Sequence, residues 1–279
     1  MKSQWPVLRL VWGAGRTAAR SLGGALLILA SAAGGEPLPA GLTGGETLTV
    51  VAVTDGETAR LADGSELRLA AILAPAAAPP RPGQSGRADA GLERLKTAAR
   101  EALTTLIDGQ TIGLYSAGEP RHDRHGRRIA YVAGPAGGWV QAALVAQGLA
   151  RVYTTAETSA GAATLLRLEA AARDQRLGLW QHAAFQVRQP NELGRWIETF
   201  QLVEGRAASI NGARAANRLS IEAGGARLAL TLSTRARNEL RGLGDLDGRP
   251  VRVRGWVRWQ NGPAIDITHG AALELPSPR

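Results

Sequence analysis

Apolar and polar residues alternate over three short segments near the start of the first folded region. The segments are 46–54, 58–62 and 65–73, and an Asp-Gly pair lies between each one and the next. Asp-Gly between alternating segments is a strong signal for a β-hairpin. The pattern therefore predicts three consecutive strands that are joined by tight turns.

Helical spacing of apolar residues follows these strands. Apolar residues recur three or four positions apart over 92–106, which predicts a helix with one face against the strands. Two further strands and two further helices are predicted at 110–115, 128–132, 139–148 and 162–176. Gly148 suits the C-terminal cap of the first of these two helices. Strands that close into a small barrel with helices packed on it form an OB-like arrangement, which is suited to nucleic acids.

A second series of alternating segments begins after the proline-containing segment 189–191. Strands are predicted at 201–210, 218–222, 227–232, 251–259 and 264–268, with a helix at 234–243. Three strands, a helix and two strands is the order of an OB barrel, and a small β module of another topology is the alternative. The expected fold class is therefore α+β and mainly β: an OB-fold barrel with packed helices, followed by a second small OB-like barrel.

The first 32 residues differ from the rest of the chain. An apolar run at 22–30 ends in Ala-Ser-Ala at 30–32, and four basic residues precede it: Lys2, Arg9, Arg16 and Arg20. This is the order of regions in a cleaved signal peptide. The apolar run is shorter than the roughly 20 residues of a transmembrane helix. We predict cleavage after Ala32 and export to the periplasm or the medium, with a retained membrane anchor as the alternative.

Composition shifts place the remaining boundaries. We predict a linker at 33–45, a first domain at 46–185, a second linker at 186–195 and a second domain at 196–279. After the signal peptide, no segment of the sequence is apolar enough to predict a stable membrane span.

The charge of the chain favours an anionic partner. Its 279 residues include 33 Lys and Arg against 24 Asp and Glu, a net charge of +9, and losing the four cations of the signal peptide leaves +5. The excess is spread along the chain, which favours nucleic acid or an envelope polyanion. GC-rich coding that enriches Arg and Ala is the alternative explanation. Because cysteine is absent, disulfides, thiolate metal sites and a cysteine nucleophile are excluded.

Five short motifs occur in a fixed order within the first predicted domain. They are Asp-Gly-Glu-Thr at 55–58, Leu-Arg-Leu-Ala-Ala-Ile-Leu-Ala-Pro at 67–75, Asp-Arg-His-Gly-Arg-Arg-Ile-Ala-Tyr at 123–131, Leu-Val-Ala-Gln-Gly-Leu-Ala at 144–150, and Glu-Ala-Ala-Ala-Arg through Gly-Leu-Trp at 169–180. Together these motifs resemble the staphylococcal nuclease family. The resemblance implies an OB barrel that hydrolyses a phosphodiester with calcium, a water-activating carboxylate and two arginines.

Both arginines of the family motif are retained. They fall on Arg68 in the Leu-Arg-Leu segment and on Arg127 in the Asp-x-x-Gly-Arg turn. The resemblance implies a catalytic role for them, since cations stabilise the anionic transition state of phosphoryl transfer. The donors of a guanidinium group also form a fork that suits phosphate. A surface salt bridge or a solvated strand face is the alternative role.

The acidic half of the family motif is mostly absent. Leu73 stands where the resemblance implies a calcium-binding Asp, and Ala76 stands where it implies the general-base Glu. The other metal ligand falls on Glu57. Calcium takes about six to eight oxygen ligands, several of them from carboxylates, so one carboxylate makes a poor site. We therefore expect no cofactor, and a calcium-dependent nuclease that is inactive or weak, in effect a pseudoenzyme.

The second domain carries a basic segment with two tryptophans at 251–259. Alternate residues of a strand share a face. The pattern therefore points Val251, Val253, Val257 and Trp259 inward, and it points outward Arg252, Arg254, Trp256 and Arg258. Three arginines around one tryptophan suit single-stranded DNA or RNA, with phosphates on the cations and a base stacked on the indole. An ordinary amphipathic strand with solvated arginines is the alternative.

Three functions fit these features. The first is a protein that binds nucleic acid or another polyanion without cutting it. The second is a working nuclease in which Asp55, Asp89 or Glu93 replaces the missing carboxylate. The third is an envelope module that binds proteins, because fold does not fix function. The missing acids favour the first function over the second.

Overall fold

The computed structural model describes residues 35–76, 89–209 and 218–276. All of these residues belong to one compact unit, Gly34–Arg279. The predicted signal peptide at 1–32 lies outside the described residues. Of the described helices, none combines the length and the apolar character that crossing a bilayer requires.

The first barrel contains five strands that close on themselves. The strands of this region are β1 Thr43–Val53, β2 Thr58–Leu61, β3 Glu66–Leu69, β4 Ile72–Leu73, β5 Thr111–Ser116, β6 Arg121–His122, β7 Arg128–Ala133 and β8 Arg151–Val152. β1 pairs with β2 and β5, β2 pairs with β3, and β5 pairs with β7. A parallel pairing between β3 and β7 closes the ring. This closed five-stranded arrangement confirms the predicted OB-like barrel.

The second barrel repeats the same topology. Its strands are β9 Thr199–Ser209, β10 Arg218–Ala223, β11 Ala226–Leu232, β12 Pro250–Trp259, β13 Pro263–Ile267 and β14 Leu273–Glu274. β9 pairs with β10 and β12, β10 pairs with β11, and β12 pairs with β13. A parallel pairing of β11 with β13 closes this ring as well. The prediction of a second OB-like barrel is therefore confirmed over the alternative topology.

Four α-helices accompany the strands in the described part of the chain. They are α1 Ala90–Ile107, α2 Val140–Ala146, α3 Ala162–Asp174 and α4 Thr234–Leu240. Asp89 caps the N-terminus of helix α1, and its side chain accepts hydrogen bonds from the backbone of Gly91 and Leu92 at 2.9 and 3.2 Å. Helix α2 ends at Gln147, and Gly148 follows it in a left-handed conformation. Short 3₁₀ helices lie at Gly178–Gln181, Ala183–Phe185, Pro190–Arg195, Arg241–Leu243 and Gly270–Ala272.

The predicted strand at 65–73 is wrong in its second half. Strand β3 ends at Leu69, and Ala71 has a φ of 63°, which turns the chain out of the barrel ladder. Ile72 and Leu73 then form β4, which pairs with β8. In that ladder Leu73 lies opposite Arg151. The break thus takes Leu73 out of the ladder of the first barrel and pairs it with β8.

An apolar cluster joins the two barrels. It combines residues of α1, α3 and the 3₁₀ segments with two residues of β9, and its buried members are Leu92, Ala172, Leu179, Trp180, Phe185, Phe200 and Leu202. Each barrel also has its own buried core. Because the shared cluster contains large aromatic side chains, its burial contributes strongly to holding the barrels together.

Candidate nucleic-acid interface

The two retained arginines meet at Thr58 on one face of the first barrel. Thr58 lies directly opposite Arg68 in the pairing of β2 with β3. Arg127 Nη1 donates a hydrogen bond to Thr58 Oγ1 at 3.3 Å. Because directly opposed strand residues project to the same face, Arg68 projects from the face that carries Thr58, the residue that Arg127 contacts.

Glu57 holds Arg68 in place. Arg68 Nε donates to Glu57 Oε1 at 3.1 Å, and the Ala74 backbone N–H donates to Glu57 Oε2 at 2.7 Å. Burial raises the pKa of Glu57, and the charge of Arg68 and the Ala74 N–H offset that rise only in part. The Arg68 guanidinium also lies 5.8 Å from the ring centroid of Tyr153. Both carboxylate oxygens of Glu57 are thus engaged within the protein.

The Asp-x-x-Gly-Arg turn orients Arg127 through Asp123. Asp123 Oδ2 accepts from Arg127 Nε at 2.7 Å, and Oδ1 accepts from the backbone of His125 and Arg127 at 2.8 and 3.1 Å. Burial alone would raise the pKa of Asp123, but the hydrogen bonds from Arg127 and His125 lower it to about 2. Gly126 has a φ of 78°, which a side chain would disfavour. The sequence motif therefore forms a turn that fixes one arginine.

The sequence of this region also matches a known protein family. Residues 66–182 match the family of staphylococcal nuclease homologues. The matched range contains Arg68, Arg127 and all the helices of the first barrel. No curated protein matches the chain. We refer to this part of the protein, together with β1 and β2, as the nuclease-like domain.

The nuclease-like domain does not offer calcium a suitable set of ligands. Leu73 is half-buried and Ala76 is exposed. Because both side chains are apolar, neither of the two positions where the family motif has an acid supplies a side-chain oxygen. Both oxygens of Glu57 accept hydrogen bonds. In the described residues, no group of three or more His, Cys, Asp or Glu side chains could hold a metal ion. The residues present therefore do not fit the metal that the family resemblance implies.

The three candidate replacement carboxylates are all engaged elsewhere. Asp55 Oδ1 accepts from the Glu57 backbone at 2.8 Å. Asp89 caps α1, and its Oδ2 lies 3.1 Å from His182 Nε2. Glu93 forms an ion pair with Lys96 at 3.0 Å. Each of the three acids thus has a contact within the protein: a turn hydrogen bond for Asp55, a helix cap for Asp89 and a surface ion pair for Glu93.

The basic segment 251–259 of the second barrel is accessible to solvent only towards its C-terminal end. Val251, Val253 and Val257 are buried in the barrel as predicted. Trp256 is 43% exposed, and Arg258 is exposed beside it. Trp259, predicted to point inward, is 63% exposed. This part of the prediction is wrong because Trp259 lies in the hairpin end of β12, opposite Pro263 and beyond the barrel core.

The side chains of Arg252 and Arg254 point outward from the second barrel as predicted, but both are buried. Arg254 is 3% exposed, and it donates to both oxygens of Glu169 at 3.1 and 2.7 Å. Glu274 also accepts from Arg254, and Glu204 accepts from Arg252. Burial alone would lower the pKa of Arg254, but the two acids raise it. The expectation of phosphate-accessible arginines at these positions is wrong, because Glu169 of the nuclease-like domain and Glu274 engage Arg254, and Glu204 of β9 engages Arg252.

Glu169 and Arg151 are important residues that sequence reasoning did not single out. Glu169 is fully buried on α3, where it accepts from the Val152 backbone at 2.7 Å besides pairing with Arg254. A signal for it existed, because Glu169 falls at helical spacing between Leu165 and Ala172 on the buried face of α3. For Arg151 the local pattern carried no comparable signal, because its surroundings come from distant segments.

Proposed function

We propose that this protein binds single-stranded nucleic acid through its phosphates and does not cut it with calcium. The observation that carries the proposal is the pair of arginines beside Thr58, in a domain whose acidic positions are Leu73 and Ala76. The family match of residues 66–182 supports a nuclease-like fold around these two arginines. The two arginines supply positive charge for binding. Acidic residues that would activate a water molecule are absent from positions 73 and 76.

Arg68 keeps donors for a ligand. Glu57 engages its Nε, and the terminal Nη atoms have no hydrogen-bond partner among the described residues. The side chain of Arg68 is 17% exposed and that of Arg127 is 23% exposed. Charge-assisted hydrogen bonds from a guanidinium fork to phosphate oxygens are among the strongest in proteins. A phosphate can therefore bind at these two arginines while the carboxylates hold them in position.

Cutting requires more than these two cations. A general base contributes about 10² to 10⁴ in rate, and a metal ion adds several kcal/mol of transition-state stabilisation. Neither contribution has a suitable residue at the motif positions, where Leu73 and Ala76 stand. We therefore propose that the domain acts as a pseudoenzyme that retains the binding half of the nuclease chemistry.

Export is the second part of the proposal. The order of basic, apolar and small residues in 1–32 supports a cleaved signal peptide, and thus a periplasmic or extracellular location. The N-terminal residue of protein recovered from the periplasm or the medium, determined by mass spectrometry, tests this part. A terminus at Ala33 agrees with cleavage, whereas an intact Met1 contradicts it.

The salt dependence of binding tests the role of the arginines. Binding to single strands weakens with salt by a logarithmic slope of about 0.7 per neutralised phosphate. Arg68→Ala with Arg127→Ala should therefore reduce the slope for a labelled single-stranded oligonucleotide by about 1.4. The control is Arg60→Ala with Arg94→Ala, which removes the same charge from two exposed positions. An equal change in both double variants would show that only net charge matters, and it would contradict a specific site.

A further inference from the structure

A small aromatic pocket occupies the junction of the two barrels. Its volume is about 140 Å³. Leu73 and Ala76 line it from the nuclease-like domain, at the positions where the family motif has acids. Aromatic side chains line it from the connecting segments and the second barrel: Phe185, Trp196, Phe200 and Trp256. The second barrel thus encloses the space beside the missing acids with flat apolar rings.

One wall of the pocket carries a buried cation with an unused donor. Arg151 is 8% exposed, and its guanidinium lies 4.9 and 5.0 Å from the ring centroids of Phe185 and Phe200. Its Nη1 donates to the Phe200 carbonyl at 2.7 Å. In the part of the chain that the structure describes, its Nε has no hydrogen-bond partner. The guanidinium thus packs against both phenyl rings and fixes them as one wall of the pocket.

Aromatic contacts connect this pocket to the retained arginines. Arg68 lies over Tyr153, and the Tyr153 ring meets the Phe200 ring edge to face at 5.3 Å. Phe200 in turn contacts Trp256 at 6.1 Å between ring centroids. Ala74, which also lines the pocket, donates its backbone N–H to the Glu57 carboxylate that holds Arg68. Packed side chains therefore connect the pocket to Arg68.

We infer that this pocket takes one unpaired base of a single-stranded nucleic acid, while adjacent phosphates lie on Arg68 and Arg127. Trp256 is the exposed aromatic ring of the pocket, and an exposed indole can stack on any base. The volume is below the roughly 300–1,000 Å³ of pockets for drug-sized ligands, so it suits a single ring system. This inference rests on the proposed function, and it adds recognition of bases to recognition of phosphates.

The test compares two variants on two probes. Trp256→Ala opens one wall of the pocket, and Trp259→Ala is the matched control, because Trp259 lies on the same strand, is more exposed and does not line the pocket. The probes are a labelled twelve-residue oligothymidylate and a base-free sugar-phosphate strand of equal length. Trp256→Ala should weaken binding of the oligothymidylate by about tenfold and leave the base-free strand unchanged. Trp259→Ala should change neither affinity.

Two results with the variants would overturn the inference. One is a Trp256→Ala variant that binds the oligothymidylate as tightly as wild type does, or whose affinities for the oligothymidylate and the base-free strand fall by the same factor. The other is equal weakening by Trp259→Ala, which would indicate general surface stacking. If wild-type protein binds both probes with the same affinity, the base pocket is rejected and the phosphate-binding proposal stands. Binding of neither probe rejects both.

Discussion

At the scale of single residues, the motifs identified candidate residues but not their contacts. Arg68 and Arg127 could be identified because each occupies a fixed place in a recognisable motif. Their pairing around Thr58 follows from strand register and from the Asp123 turn, which the motif implies only indirectly. The engagement of Glu57 by the Ala74 N–H was not predictable, because it depends on the turn at Ala71.

Asp123 provides a prediction about acid stability. Its pKa in the folded protein is about 2, below the usual value near 4, so its contribution to stability is full at neutral pH and is lost as the pH falls from about 4 to 2. Asp123→Asn should lower the free energy of unfolding at pH 7 by about 1 kcal/mol, a modest value because solvent screens the pair. Chemical denaturation at pH 7 and pH 3 measures this effect. A loss that is equally large at both pH values would contradict the assignment.

At the scale of elements, the strands and helices were predictable and their covered faces were not. Alternation identified β12 and located its buried valines, because barrel interiors select apolar residues at every second position. The same alternation cannot reveal that α3 covers Arg254. Likewise, helical spacing identified α3, but the pairing partner of Glu169 lies 85 residues away in the sequence. Such contacts depend on how the two barrels meet.

The ion pair between α3 and β12 should stabilise the junction strongly. Glu169→Gln leaves Arg254 buried without its main carboxylate partner, and breaking a buried pair costs about 3 kcal/mol of unfolding free energy. The control is Glu222→Gln, which removes an exposed carboxylate paired with Arg227 at 2.9 Å and should cost less than about 1 kcal/mol. Urea denaturation of both variants measures the difference. Equal costs would show that the buried pair does not hold the junction.

At the scale of the whole molecule, two barrels of the same topology meet through aromatic and charged side chains. Both barrels and their order were predictable, because strand patterns and turn residues are local signals. The pocket at their junction was not, because its walls combine Leu73 with Phe185, Phe200 and Trp256. The molecule thus places apolar residues of the second barrel beside Leu73 and Ala76.

The most direct test of the central claim is to incubate the purified protein and a labelled single-stranded oligonucleotide with calcium or with a chelator. Native and denaturing gels of the same samples read binding and cutting. We predict a shifted, intact oligonucleotide in both conditions, because Arg68 and Arg127 bind phosphate while Leu73 and Ala76 supply neither metal ligand nor base. Calcium-stimulated cutting by the wild type that disappears in Arg68→Ala with Arg127→Ala would contradict the claim.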